Sequence, residues 1–554
     1  MSFLSTLFRS KSIDSKASAE QGLANDVDLV SEVPCDGPKL GRPDTIETYD
    51  DYKETDDNRL RQLESLDSAA APVPWEPSGS PWRDFFYFCG PGWFVSIAYV
   101  DPGNYQADIK AGSSSRYTLL FALWWSCALS VYVQVLCVRL AYIGQITLAE
   151  AQARDSTSRI SRYTSWAIAE LSAMVADLPE VIGIGIAMNQ FFGWPYYAGV
   201  LLSLVTTMIF LATMHLGVQI LERIVFFFVA VMSLSLWFEM GVVNPNGPEL
   251  LKGWVYGFVN VQPQDLFSIA GILGSVVMPH NLYLHTAAIQ SRRVKREEPV
   301  VRKAVKYASF EPTLPMLLAF IVNTAVITIA SERVYGDPNA ENAGLTDFCT
   351  YFEKLKGGCY MWGIALLASG QSSAITTTFT GQYVMDGFLN MQLPVRVRAV
   401  ITRLIAIVPC VIVSIVFNDR VNQMVSFVNA SISLLLPFAF CPLVKYNCSD
   451  KFLGTLASKG LEKYMLHGFA LAVWAINAYA FSSVGGGFFG DFVRSMPPGS
   501  MKKVLFILLE VAFQVFYAWW NLTSLFKPVQ FQNRSLDDER PHDPQFASTI
   551  ANRH

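Results

Sequence analysis

Four consecutive residues, Asp101-Pro102-Gly103-Asn104, put a carboxylate, a helix breaker, a glycine and an amide into an otherwise apolar to semi-apolar stretch. A charge at membrane depth is costly unless it faces a cavity, a partner or an ion. Proline and glycine free backbone groups there, and irregular backbone survives at that depth only inside protein or beside a cavity. The four residues read as one half of an ion site. A second broken run, residues 271–285, contains Met278-Pro279-His280-Asn281 and two of the chain's six histidines, His280 and His285. It reads as the other half.

The donors define the chemistry. Asp101 offers a hard anionic oxygen and Asn104 a neutral amide oxygen. Unwinding at the two prolines frees carbonyls, those of Ala98 and Ser275 being the ones placed just before the breaks. Met278 offers a soft thioether, which favours transition metals over Mg²⁺ or Ca²⁺. One carboxylate, neutral oxygens and one sulfur describe a weak, reversible site for Mn²⁺ or Fe²⁺; packing alone is the competing role for Met278. A buried imidazole ligand would hold a transition metal tightly, so His280 suits proton handling or structural hydrogen bonding better than ligation. His285, roughly 140° further round a helix, extends a polar pathway or is a satisfied core histidine. Asp177 and Glu180, three apart on the third predicted helix, share a face and need cationic or protonated company. Candidates are His280, Arg398 and Arg403. A proton relay of Asp101, His280, Glu180 and Arg398 competes with a purely structural ion-pair network.

These groups need a scaffold in the bilayer. The 554 residues are 52% hydrophobic, 13% aromatic and only 16% charged, against about a quarter charged in soluble proteins. Apolar runs such as 118–141 and 226–243 have the roughly 20-residue length that spans a bilayer. Helices are predicted near 85–112 (interrupted), 117–143, 163–191, 194–214, 219–243, 265–291 (interrupted), 309–331, 360–389, 399–417, 421–445, 464–484 and 503–526. The chain is thus predicted to be an all-α polytopic membrane protein of about twelve spans. Breaks in the first and sixth helices suit an inverted repeat of five plus five helices with the site at the repeat interface. Residues 1–80 are polar and predicted to be a disordered tail; 81–526 form the transporter domain and 527–554 a second tail. The acidic stretch 45–57, with Tyr49 and Tyr52, reads as solvated tail or as a trafficking segment.

Lys and Arg set the orientation. The loop after the sixth helix contains Arg292, Arg293, Lys295 and Arg296, and continues with Arg302, Lys303 and Lys306. Other basic loops hold Arg154, Arg159 and Arg162, then Arg396 and Arg398, then Lys451, Lys459 and Lys463. With twelve spans these share one side with both termini, and the positive-inside rule makes it cytoplasmic. No secretory signal is visible. The long loop 331–358 falls outside. It holds Cys349, with Cys359 ten residues on, and a local disulfide and two free thiols are both open readings. The other apolar-run cysteines read as buried thiols.

The two tetrapeptides resemble the signatures of the Nramp (natural resistance-associated macrophage protein) family of divalent metal–proton symporters. The resemblance extends to Asp177-Leu178-Pro179-Glu180-Val181-Ile182-Gly183, to Gly370-Gln371-Ser372-Ser373-Ala374-Ile375-Thr376, to the stretch from Gly381 to Phe388, and to Leu436-Pro437-Phe438. It covers about residues 80–525. It implies the fold of the sodium-coupled amino-acid transporters and H⁺-coupled import of Mn²⁺ or Fe²⁺. The metal would bind Asp101, Asn104, Met278 and the Ala98 carbonyl, joined by the Ser275 carbonyl in the inward-facing state. Asn429 would occupy the tenth-helix position that lends an amide in some members. Proton transfer would involve Asp101, His280, Asp177, Glu180 and Arg398. Three departures stand out. Ser275 replaces a small apolar residue, Gln106 replaces an acid, and Pro179 lies between the third-helix acids.

The expected partners are divalent metal ions as substrate, protons and lipid, with no resident cofactor, no nucleic acid and a monomeric chain. The membrane expected is the plasma membrane or an endosomal or vacuolar one. No nucleophile–base–orienter set appears, so no enzyme is expected. The competing function is a carrier of Mg²⁺ or a broad range of divalent ions on the same fold, with weak or no proton coupling.

Overall fold

A computed structural model of the chain describes residues 74–89, 99–213, 218–290, 292–352, 357–391, 395–416, 420–483, 488–497 and 500–531. Among the described residues, each of the twelve predicted helix positions carries helix. The first is split into α1 (Pro81–Phe88) and α2 (Pro102–Ser115). There follow α3 (Leu120–Tyr142), the short α4 (Leu148–Asp155), α5 (Arg159–Phe192), α6 (Tyr196–Thr213), α7 (Val218–Val243) and α8 (Gly247–Tyr256). The sixth predicted helix is split into α9 (Asp265–Val276) and α10 (Pro279–Gln290). After it come α11 (Glu298–Phe310), α12 (Thr313–Arg333), α13 (Gly358–Leu389) and α14 (Val395–Val416). The tenth is also split, into α15 (Val421–Leu435) and α16 (Pro437–Asn447), at Leu436 before Pro437. The chain continues with α17 (Gly460–Ala480), α18 (Phe488–Ser495) and α19 (Met501–Phe526).

Among the described residues, seven helical stretches are long and apolar enough to cross a membrane. The other predicted spans fall on α1 with α2, α6, α7, α13 and α17. The break in the tenth helix escapes sequence reading because its apolar pattern runs on unbroken through Leu434-Leu435-Leu436. Proline at 437 cannot donate to the carbonyl four residues back, which permits the break.

The inner bundle is packed through small residues. α9 lies so close to α15 that a Cβ on Gly274 would overlap the Asn429 carbonyl and crowd Ser433. α2 packs on α12, and α13 runs along α5. The faces turned away carry large exposed apolar groups, such as Leu505, Leu508, Leu509 and Phe516 on α19, as expected of helices that meet lipid rather than water.

Residues 74–80, assigned to the tail on composition, are tied down. Trp75 donates its N–H to the Arg293 carbonyl (2.9 Å) and accepts from the Lys295 N–H (3.2 Å), a single β-bridge to the loop before α11. Its ring is buried edge-on against Phe88 of α1, with centroids 4.7 Å apart. Glu297 and Glu76 flank the Lys295 ammonium and hold it above its ordinary range. Residues 527–531 of the predicted second tail are also described, and the Gln530 N–H donates to Asp155 (2.8 Å); residues 1–73 and 532–554 lie outside the described residues, as does the Arg396 side chain. A Cys349–Cys359 disulfide ties the long loop to the first turn of α13, with Cα atoms 4.6 Å apart.

Candidate metal site and its ion-pair neighbour

The site is built on two helix breaks, each made by a proline. Pro102 is the first residue of α2, where a missing N–H costs nothing. Asp101 is its N-cap, in extended conformation. The carboxylate accepts the Asn104 backbone N–H (2.7 Å) and the Asn104 amide N–H (3.0 Å). On the other side, α9 ends at Val276 and α10 begins at Pro279. The helical partner of the Ser275 carbonyl would be the N–H of residue 279, which proline lacks. That carbonyl accepts instead from the Asn104 amide (3.0 Å). Asn104 thus bridges the two breaks. The same register argument frees the Ala98 carbonyl, four residues before Pro102, but Ala98 lies outside the described residues.

Asn429 of α15 closes the third side. Its amide donates to the Gly103 carbonyl (2.7 Å). Its Oδ1 and the Asp101 Oδ1 converge beside Gly103, 3.0 and 3.3 Å from the point where a Cβ would sit. Asp101, Asn104 and Asn429 are all at most 3% exposed. The Asn104 Oδ1 and the Asn429 Oδ1 have no hydrogen-bond donor. Buried acceptors without donors are rare in native proteins and call for a reason. A cation supplies one: oxygens that find no N–H are suited to a positive ion.

Met278 lies in the two-residue link between α9 and α10. It packs with Ala176 of α5 and with Val428 and Ile432 of α15. It also lines a small cavity with Tyr99, Gln134 and Asn281. The Ser275 hydroxyl turns back to the Ile272 carbonyl (3.1 Å), so it is the backbone oxygen of this residue that meets Asn104. His280 and His285 are fully buried in α10, and none of their four ring nitrogens has a hydrogen-bond partner.

A second polar region lies along α5. The helix runs unbroken through Pro179, and Asp177 and Glu180 face the guanidinium of Arg403 on α14, at 3.3 and 3.5 Å. Thr377 of α13 donates to Asp177 (3.0 Å). All three charged groups are 1% exposed. Of the cations the sequence offered, Arg403 takes this place. Arg398 pairs instead with Glu170, further down α5, and donates to the Met385 sulfur (3.6 Å). Arg398 therefore does not meet Glu180, and the expected contact between them is replaced by that of Arg403. Sequence reading also passed over Glu170, seven residues before Asp177, and Asp108, which is 1% exposed on α2. Their spacing from Asp177 and Asp101 places them on the same helix faces, the signal that would have found them. Gln106 binds no site group. It accepts from the Leu345 N–H (3.0 Å) and donates to Ser426 (3.1 Å). Among the described residues no cluster of three or more His, Cys, Asp or Glu side chains could hold a metal. The oxygen cradle has one carboxylate.

A sequence profile described as natural resistance-associated macrophage protein-like matches residues 92–483. This chain belongs to the Nramp family. Among its relatives, Metal transporter Nramp2 of Populus trichocarpa is 36% identical over 452 residues, 78% of this chain and 82% of the relative. Metal transporter Nramp2 of Arabidopsis thaliana is 34% identical over 83% of this chain and 87% of its own. A solved structure of the Eremococcus coleocola manganese transporter superposes with a TM-score of 0.69 at 26% identity, covering 83% of this chain and 97% of that one. Both tetrapeptides, 101–104 and 278–281, fall inside the matched range and form the two breaks that Asn104 joins.

Proposed function

We propose that this Nramp chain is a secondary transporter that carries divalent transition-metal ions, Mn²⁺ and Fe²⁺, into the cytoplasm together with H⁺ by alternating access. The observation that carries the reading is the cradle at the two helix breaks. Asp101, Asn104, Asn429 and the Ser275 carbonyl converge there, with two buried amide oxygens lacking donors. The metal is substrate, not resident cofactor, and weak ligands let it leave. The named relatives are metal transporters and a manganese transporter, which supports the substrate class. Met278, adjoining the Ser275 side of the break, is the proposed soft ligand that favours transition metals. Asp101, His280 and His285, with Asp177, Glu180 and Arg403, are the proposed proton-handling groups. The basic loops place both termini in the cytoplasm on this reading, and the Cys349–Cys359 bridge on the opposite face suits an oxidising exterior.

Purified protein in liposomes, offered Mn²⁺, Fe²⁺, Mg²⁺ and Ca²⁺ with internal pH recorded in parallel, tests the reading. Saturable Mn²⁺ influx with acidification is expected. Influx without acidification removes the proton coupling and keeps the site. Equal uptake of Mg²⁺ favours the broad-range reading, which the apolar packing of Met278 against Ala176, Val428 and Ile432 also accommodates.

A further inference from the structure

The seam between α2 and α15 does not end at the ion cradle. Asn422, Ser426 and Asn429 lie on one face of α15 at spacings of four and three. Asn429 binds the Gly103 carbonyl beside the site. One turn away, Ser426 accepts from the Gln106 amide. One further turn away, Asn422 donates to the Asn342 carbonyl (3.0 Å) and the Thr346 hydroxyl (2.8 Å) in the long loop. Gln106 also reaches that loop, accepting the Leu345 N–H, while the Leu345 carbonyl accepts from the Trp362 indole (3.1 Å). Both backbone groups of Leu345 are thus taken by side chains, and Leu345 itself is fully buried. Gly344 is the residue that lets the loop come this close, because a Cβ there would overlap both the Gln106 Oε1 and Asn422.

We infer that Gln106 is a positioning residue for transport: its amide holds Leu345 and, together with Asn422, clasps residues 342–347 over the end of the α2–α15 seam, keeping the ion cradle shut from that face. The same two helices carry the cradle and the clasp, so an ion arriving from the loop side must part the Gln106 contacts before it meets Asn104 or Asn429. Gln106 uses its acceptor on the loop and its donor on α15, which joins three segments through one side chain. Asp347 is the charged loop group beside it, accepting from Asn422 (3.4 Å). The α15 face opposite is uncharged.

The transport arm of the test rests on the proposed function, with the loop face outside; the labelling arm does not require transport. The full chain with a Leu345→Cys reporter is treated in sealed vesicles with a membrane-impermeant maleimide from the loop side. Gln106→Ala and Asn422→Ala are each expected to raise the labelling rate about tenfold, because labelling follows the open population. In the same variants without the reporter, KM for external Mn²⁺ is expected to fall about threefold or more, since a larger fraction is competent to bind. Misfolding would lower maximal uptake without lowering KM. Unchanged labelling in both variants overturns the inference. So does increased labelling with an unchanged or higher KM, which would mean that the loop frays without guarding the site. If the wild-type chain takes up no Mn²⁺, the proposed function fails and the labelling result alone decides the clasp.

Discussion

The cradle at the helix breaks and the network between α5 and α14 are both buried and built on carboxylates, yet they are neutralised in opposite ways. Asp177 and Glu180 share a resident guanidinium, Arg403. Among the described residues no Lys or Arg lies at ion-pair distance from Asp101, whose carboxylate takes its hydrogen bonds from the Asn104 side chain and from backbone N–H groups of its own turn. A buried charge without a counter-charge is tolerated only if it is protonated or meets a cation. The network carries its cation permanently as a side chain. On the proposed function, the cradle takes one that comes and goes. A carboxylate with a fixed partner stabilises the fold, whereas one with only amide donors can exchange ligands.

Several substitutions would break or sharpen this contrast. The largest effect on uptake is expected from Asp101→Asn, which removes the cradle's only anion. Metal uptake into liposomes should fall by about 100-fold or more, equivalent to at least ~2.7 kcal/mol, with no loss of thermal stability. A fall in the unfolding midpoint as large as that of Arg403→Ala would erase the distinction between the two regions. Arg403→Ala strands two buried carboxylates, and breaking a buried pair costs about 3–5 kcal/mol. A marked fall in the unfolding midpoint of detergent-solubilised protein is expected. Arg398→Ala, which strands only Glu170, should leave Asp177 and Glu180 paired.

Gly274→Ala drives a methyl into the Asn429 carbonyl. Overpacking of this kind costs about 1–3 kcal/mol, and uptake should fall with stability because the same contact seats Asn429. Met278→Ala should keep uptake but reduce the preference for Mn²⁺ over Mg²⁺ and Ca²⁺ by about tenfold, the equivalent of ~1.4 kcal/mol. An unchanged preference in a competition assay would assign Met278 to packing. The smallest effect belongs to Thr377→Val, which removes one hydrogen bond to Asp177 and should cost about 1 kcal/mol of stability with uptake near that of the parent.

Much of the architecture was legible because it is local. Apolar runs of spanning length marked the helices, and the two prolines marked the breaks. The departure at Gln106 was visible in sequence, but its use was not: it serves the Leu345 amide, 239 residues away. Cys349 and Cys359 are bridged, where spacing left both states open. Arg398 and Arg403 are five apart on α14, roughly 140° around the helix, so rotation of that helix against α5 chooses between them, and periodicity does not report rotation. Glu170 and Asp108 were overlooked for a related reason. Each lies seven residues from an acid already singled out and on its helix face, but only packing shows that it is buried.

The sequence by itself determined where backbone donors are missing. Proline has no N–H wherever it stands, so Pro102 and Pro279 remove the helical donors for the carbonyls of Ala98 and Ser275 in any fold that keeps these segments helical. It likewise determined that one carboxylate, two amides, one imidazole and one thioether sit beside those breaks. Only the tertiary structure decided which groups meet across them: Asn104 with the Ser275 carbonyl, Asn429 with Gly103, Arg403 with Asp177 and Glu180. Those pairings depend on how closely helices approach and how each is turned, and these are set by contacts such as Gly274 on Asn429, between residues far apart in the chain.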